Sequence, residues 1–527
     1  MIKTIKINSL FRGWSASEYF GADGTYNSST AVDPDLPIVS TDIRTSGFAV
    51  PVGYAKFSGA EVDTPVIRIL NNPKDQETYV VTLGGKVITY SSTLGSETVL
   101  GTVAGSNARW AEYYNNYIYI FGTGVSQNDI SRVGPMDGSP SITNAVWTGA
   151  TLGSQVALTN APYPRISAGN LFLPQHVSFV HGDNSMYFCD FKNGQGYIHR
   201  INTKKVTVEG DTNGTVVPSA YNVLDLPFGF LPTSIAPFNN SLIITGIYTA
   251  STIVNQAMAA FVLWDPTDTV SWSLGPVPLP DPFVTATLNV RGTVYIWTGN
   301  GVNGVRLSTY TGGSSTTDIL YQEEGLPPFQ GAVDALGNRV VWGGVATSPT
   351  TGTVVWAYGS KDARLPVGLH NIAKGSGAGT SPLMVSLKFI QQGNVTPKMV
   401  IASKDGTGNQ IDQYSTTATL ASKIRFMLNI GEQFDVREIK IPLAGAVGAN
   451  TTITPTLYFD DKSSNKVLNV INNTNYPSKR KIIYKGTELK DTLASNNMIL
   501  ELAWTGTTPT PVAFPITIEI DIKEDEK

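Results

Sequence analysis

Residues 289–310, NVRGTVYIWTGNGVNGVRLSTY, read as one β-hairpin with its reversal in the middle. Val294 and Ile296 alternate with Tyr295 and Trp297, the period-2 signature of a strand with two different faces. Gly299-Asn300-Gly301 and Asn303-Gly304 tolerate positive φ and let the chain turn back. Val305, Leu307 and Thr309 then carry the returning strand. Such a hairpin suits one blade of a β-propeller, where Tyr295 and Trp297 would pack between blades rather than stack on a ligand.

The same grammar recurs between residues 46 and 420. Strongly apolar runs stand at 79–82, 117–121, 186–190, 242–245, 294–298, 340–343 and 399–402. Turn residues precede several of them: Asn115-Asn116, Asn239-Asn240, Arg291-Gly292 and Gly337-Asn338. The runs start 38 to 69 residues apart, so loops of unequal length must absorb an excess over the ~40–50 residues of an ordinary blade. The expectation is an all-β chain with a β-propeller of about seven blades, six or eight being the alternatives. A segment near 47–57 would close the ring by completing the last blade. A set of two or three β-sandwiches is the rival, but it needs no recurring hairpin.

After residue 420 the strands lengthen. In 516–522, Ile alternates with Thr, Glu and Asp without a break, so one face is buried and the other wet. Similar runs at 424–430, 436–441, 452–459, 481–484 and 498–504 predict a C-terminal β-sandwich over 421–527. Residues 1–45 fit neither pattern. They form an N-terminal arm whose Phe11, Trp14, Tyr19, Phe20 and Tyr26 lie on a turn-rich backbone and need a covering surface, in this chain or in another subunit.

Composition excludes several roles. Charged residues are 15% of the chain and the net charge is −4, so no basic surface for holding nucleic acid is expected. The short knot Lys479-Arg480-Lys481 reads as a solvated strand entry. One cysteine, Cys189, allows no internal disulfide and sits in an apolar strand as an inert thiol. The opening MIKTIKINSLF alternates rather than forming the apolar core of a signal peptide, and the apolar run 257–264 is too short to cross a bilayer. Synthesis in a reducing cytoplasm and no membrane partner are expected.

No catalytic, cofactor or metal site is assigned. Histidines number four: His176, His181, His199 and His370. On one continuous strand His176 and His181 would face opposite ways and share no metal. Ser403-Lys404-Asp405-Gly406 has the Ser-x-Asp of an Asp-box but neither its later glycines nor its Trp, and it reads as a turn. Glu323-Glu324 and Asp460-Asp461 read as polar loops with the right oxygens for Ca²⁺. Trp264-Asp265 is not repeated in other blades as the WD dipeptide is.

The arm with Phe11-Arg12-Gly13-Trp14-Ser15, the Ser/Thr/Asn/Gly-rich hairpins and the terminal Leu457-Tyr458-Phe459-Asp460-Asp461 together resemble bacteriophage virion proteins, in particular tail nozzle proteins of short-tailed phages. The resemblance implies a non-enzymatic structural protein of the virion tail. It implies a homo-oligomer against adjoining tail proteins, with DNA passing and no sequence recognition. Two other classes compete: a peripheral tail adhesin or carbohydrate-binding propeller, and a polysaccharide-degrading enzyme. Two carboxylates converging on the propeller axis, together with sugar release, would mark the enzyme.

Overall fold

Seven sheets of four antiparallel strands follow one another along the chain. They are seen in a computed structural model that describes residues 1–7, 13–14, 25–26, 28–30, 47–48, 54–56 and 64–523. Within the last range, residues 73–76, 91–96, 106, 145, 147–151, 154–164, 168–169, 172–175, 202–219, 249–257, 268–270, 300–303, 323–326, 346–352, 360–367, 375–382, 391–396, 406–407, 415–419, 460–464, 491, 493–496 and 507–511 lie outside the description.

The first strands of blades 1 to 7 are Val66–Asn71, Trp110–Tyr114, Ser178–Val180, Phe230–Phe238, Phe283–Val290, Val333–Leu336 and Leu383–Ile390. Each packs beside the first strand of the next blade, and the seventh packs beside the first. These strands therefore line an axis, and the sheets form a closed seven-bladed β-propeller. Closure is covalently offset: the fourth strand of blade 7 is Tyr54–Lys56, which pairs Ala55 with Gln413 ahead of the first blade in sequence.

All seven strongly apolar runs are second strands. A second strand has a partner on either side and a neighbouring blade against each face, so both faces must be apolar. Thr78–Thr82 is buried at every position, and Ser241–Tyr248 at all but its ends. Fourth strands are rim strands with a weaker apolar pattern; Ser141–Thr143 is exposed throughout. Trp297 on blade 5 is fully buried and meets Trp342 of blade 6 at 5.8 Å between ring centres, while Tyr295 is half-buried.

The chain beyond the propeller forms two sheets over one apolar core. One runs in the order Ile2–Ile7, Ile516–Ile522, Phe434–Pro442, Lys481–Lys485. The other runs Asn465–Val467, Thr451–Phe459, Asn497–Gly506, Leu420–Asn429, Ser28–Thr30. Phe426, Leu457 and Trp504 from the second sheet share that core with Ile439, Tyr484 and Ile518 from the first. The sequence boundary at residue 45 therefore cuts through strand ladders: Ile5 pairs with Ile518 and Ser29 with Ile424. No helix among the described residues is long and apolar enough to cross a membrane.

Candidate functional site

The propeller axis is the first polar region. The 3₁₀ turn Gln330–Ala332, all three residues buried, leads into blade 6 but reaches far beyond it. Gln330 Oε1 accepts hydrogen bonds from Ser234 Oγ of blade 4 and Thr287 N of blade 5, both at 2.8 Å. Gly331 O accepts from Ser386 Oγ of blade 7 at 3.1 Å. A Cβ on Gly331 would lie 2.9 Å from Val385 O and 3.1 Å from Ile67 O of blade 1, so the close approach favours glycine. The turn thus ties together first strands of blades 1, 4, 5 and 7.

Four charged residues stand on first strands: Arg68 on blade 1, Glu112 on blade 2, Asp334 on blade 6 and Lys388 on blade 7. Arg68 interacts electrostatically with Asp334, and Glu112 with Lys388, although a whole blade separates each pair around the ring. Asp334 receives Lys388 Nζ at 3.0 Å and Phe389 N at 2.8 Å. Arg68 lies over the Trp110 ring at 4.3 Å. Its Nε is buried without a partner. Burial lowers the Arg68 pKa against the pull of Glu112 and Asp334. Burial likewise raises the Glu112 carboxyl pKa against the pull of Arg68 and Lys388.

A second polar cluster fills the seam between blades 2 and 3. Arg109, His176 and Asp190 are nearly fully buried, with His199 beside them. Arg109 Nη1 donates to Gly153 O and to His176 Nε2, both at 2.9 Å. Because arginine only donates, His176 Nε2 must accept, and Nδ1 carries the hydrogen toward Cys189 O at 3.2 Å. Asp190 accepts from Gly153 N at 2.9 Å and lies 3.4 Å from His199 Nε2. A side chain at Gly153 would collide with Phe191 O at 1.7 Å, so this contact requires glycine. His176 itself sits at φ 59°, the left-handed region.

Burial pushes His176 down to about 4 despite Asp190, and Arg109 down to about 10. Burial opposes ionisation of Asp190 too, but the hydrogen bond from His199 and both imidazoles outweigh it and hold its pKa below the usual value. The hydrogen bonds of Arg109 and Asp190 join residues of blade 2, blade 3 and the connection between them, although Arg109 Nε is buried without a partner.

Neither cluster was singled out from sequence. Asp190 and His199 meet because Asp190 pairs with Tyr197 and Phe188 with His199, a diagonal relation that needs the register of the hairpin. His176 and His181 do separate: His181 stands beside Asp183 at 3.3 Å, at the far end of Ser178–Val180. His370 lies on the strand Gly368–Lys374. Among the described residues no group of three or more His, Cys, Asp or Glu side chains is placed to hold a metal. Cys189 is buried and its pKa raised by burial, as an inert thiol requires.

Of the aromatic arm residues, Trp14 and Tyr26 fall on two short parallel strands, Gly13–Trp14 and Thr25–Tyr26, that pair with each other. Phe11, Tyr19 and Phe20 lie outside the described residues, as do Glu323-Glu324 and Asp460-Asp461.

No known family model matches the chain, and no curated protein matches it. Solved structures of similar outline include a WD40 domain and a β-propeller domain. The WD40 domain of Neurospora crassa Pan2 superimposes with a TM-score of 0.39 at 8% identity, covering 71% of this chain and 97% of that one. The β-propeller domain of Myceliophteria thermophila Cps50 (Swd1) gives 0.41 at 7% identity, over 69% and 100%. The computationally designed Ika8 protein gives 0.39 at 9%, over 68% and 98%. At such identities no ligand or activity transfers; the blade count rests on the strand pairing itself.

Proposed function

We propose that the protein is a non-enzymatic structural component of a phage virion tail, a nozzle-like part that assembles with copies of itself and with adjoining tail proteins. The observation that carries this reading is the stitching of the chain. Residues 1–56 supply Ile2–Ile7 and Ser28–Thr30 to the two C-terminal sheets and Tyr54–Lys56 to the last blade. Force on either unit is thereby resisted by strand ladders rather than by a single linker, as a mechanical part requires. In this reading the DNA conduit is the space enclosed by several copies.

Light scattering of the purified chain should give a ring of several copies, and mass spectrometry should find it in phage particles made by cells carrying its gene. A monomer at every concentration, together with its absence from particles, overturns the reading. The enzyme alternative needs two carboxylates free to act, and Glu112 and Asp334, which both interact electrostatically with Arg68, are the nearest approach to a pair. Asp334, however, spends its two oxygens on Lys388 and on the Phe389 amide. Release of reducing sugar ends from a host polysaccharide would reverse this ranking.

A further inference from the structure

The net charge of −4 conceals an uneven distribution. Of the chain's 37 Lys and Arg and 41 Asp and Glu, residues 465–490 carry six of the former and one of the latter, Glu488, leaving 31 against 40 elsewhere. The fold gathers these six cations on one side of the C-terminal sheets. Lys481–Lys485 is the last strand of one sheet and Asn465–Val467 the last of the other, and Tyr484 Oη bridges toward the second by donating to Asn469 O at 2.7 Å. Lys466 Nζ donates to Lys490 O along the same edge. Ile482 and Tyr484 point into the core, which turns Lys481, Ile483 and Lys485 outward. Lys479, Arg480 and Lys490 are exposed beside them.

None of the six forms an ion pair with a described carboxylate. Glu488 is held by Asn469 Nδ2, and Glu438, opposite Lys485 in the ladder, is taken by Lys440. Lysines can guard a sheet edge against unwanted pairing, but that duty belongs to side chains on the edge strand itself. Lys479, Arg480 and Lys490 stand outside the strand. A protein partner would want an aromatic or aliphatic anchor among the charges. Tyr484 is buried, Tyr476 lies half-buried under Lys479 at 5.6 Å, and the exposed Ile483 and Val467 belong to different sheets. A nucleic-acid backbone needs only the cations: duplex DNA presents one charge per ~1.7 Å of axis, and Lys481 to Lys485 spans ~13 Å. We infer that this edge binds the phosphate backbone of nucleic acid without reading its sequence. The inference stands whether or not the protein belongs to a tail.

The test uses the full-length chain and fluorescence anisotropy of two labelled duplexes of ~20 base pairs and unrelated sequence. Both should bind with a Kd of ~10⁻⁵ M at ~50 mM salt and about a hundredfold more weakly at ~200 mM, the loss that about four phosphate contacts imply. Arg480→Glu with Lys481→Glu should weaken binding by about tenfold or more. Lys3→Glu with Lys6→Glu makes the same change in net charge on Ile2–Ile7, at the opposite edge of that sheet, and should weaken it by less than about threefold. Should the first variant melt well below the parent, Lys479→Gln with Lys490→Gln serves in its place, with an expected loss of about threefold or more. No binding at ~100 μM protein in ~50 mM salt overturns the inference, as do equal losses in the two charge-reversed variants. Tighter binding of poly-L-glutamate than of either duplex, at equal charge, overturns the nucleic-acid assignment.

Discussion

The seam cluster and the charges on the first strands lie in the same propeller and use the same residue types, yet they differ in burial. In the seam, Arg109, His176, Asp190 and His199 touch one another or the backbone directly, and three of the four are at most 4% exposed. On the first strands, Arg68 lies over the Trp110 ring, Lys388 donates to Asp334, and Arg68, Glu112 and Lys388 stay half-buried. Each group leaves one arginine Nε buried without a partner, Arg109 in the seam and Arg68 beside Trp110. Direct pairing within a nearly fully buried seam fixes two blades against each other. Partial exposure lets water screen the charges on the first strands. Loss of a seam charge should therefore cost more than loss of a charge there.

The largest effect that can break this comparison is removal of Asp190. Asp190→Ala strands Arg109 and two imidazoles in a buried site, and loss of one member of such a pair costs ~3–5 kcal/mol. Urea unfolding followed by tryptophan fluorescence should show it, and a loss below ~1 kcal/mol would mean that water already enters the seam. Trp297→Ala on the seam between blades 5 and 6 sets the scale for purely apolar packing, again ~3–5 kcal/mol. A near-neutral result there would mean that Trp297 is accessible and reopen its reading as a ligand platform.

Acid sharpens the comparison next. The folded-state pKa of His176 is depressed to about 4, against an unfolded value of 6.5. The unfolded chain therefore binds the proton first: the stability from keeping His176 neutral is fully present above 6.5, falls as pH drops toward 4, and changes no further below it. The span corresponds to at most ~3 kcal/mol, at 1.36 kcal/mol per pKa unit. His176→Asn accepts the left-handed backbone and cannot titrate, so it should flatten the slope between pH 6.5 and 4. An unchanged slope would assign the acid sensitivity to another group.

How much of this was legible follows from where each residue stands. The propeller showed through its second strands, because residues such as Val80, Ile120 and Ile244 are apolar for both faces and need no knowledge of partners. Rim strands such as Ser141–Thr143 carry little apolar signal, and the 69-residue interval between the second and third runs hid the join of blades 2 and 3. The stitching by residues 1–56 was legible only as an arm in need of a surface, since a short strand such as Ser28–Thr30 gives no hint of its partner hundreds of residues away. The polar clusters escaped for two reasons: Asp190 and His199 meet only through the register of their hairpin, and Arg68, Glu112, Asp334 and Lys388 look like solvated charges until the ring closes and brings the first strands together.

The smallest expected effect separates the two clusters most finely. Glu112→Gln removes a carboxylate whose pKa burial has already raised, so ionising it in the fold is costly. The variant gives up attraction to Arg68 and Lys388 but recovers the desolvation of a charge, and it keeps a side-chain oxygen within reach of Ser178 Oγ, 3.5 Å away in the parent. These terms oppose each other, and the net change in unfolding free energy should stay under ~1 kcal/mol, far below that of Asp190→Ala. Parallel urea titrations of the two variants make the measurement. Equal losses would show that the carboxylate of Glu112, like the one in the seam, holds blades together, and the contrast between the two clusters would collapse. A small loss leaves Glu112 available for a role that stability does not explain.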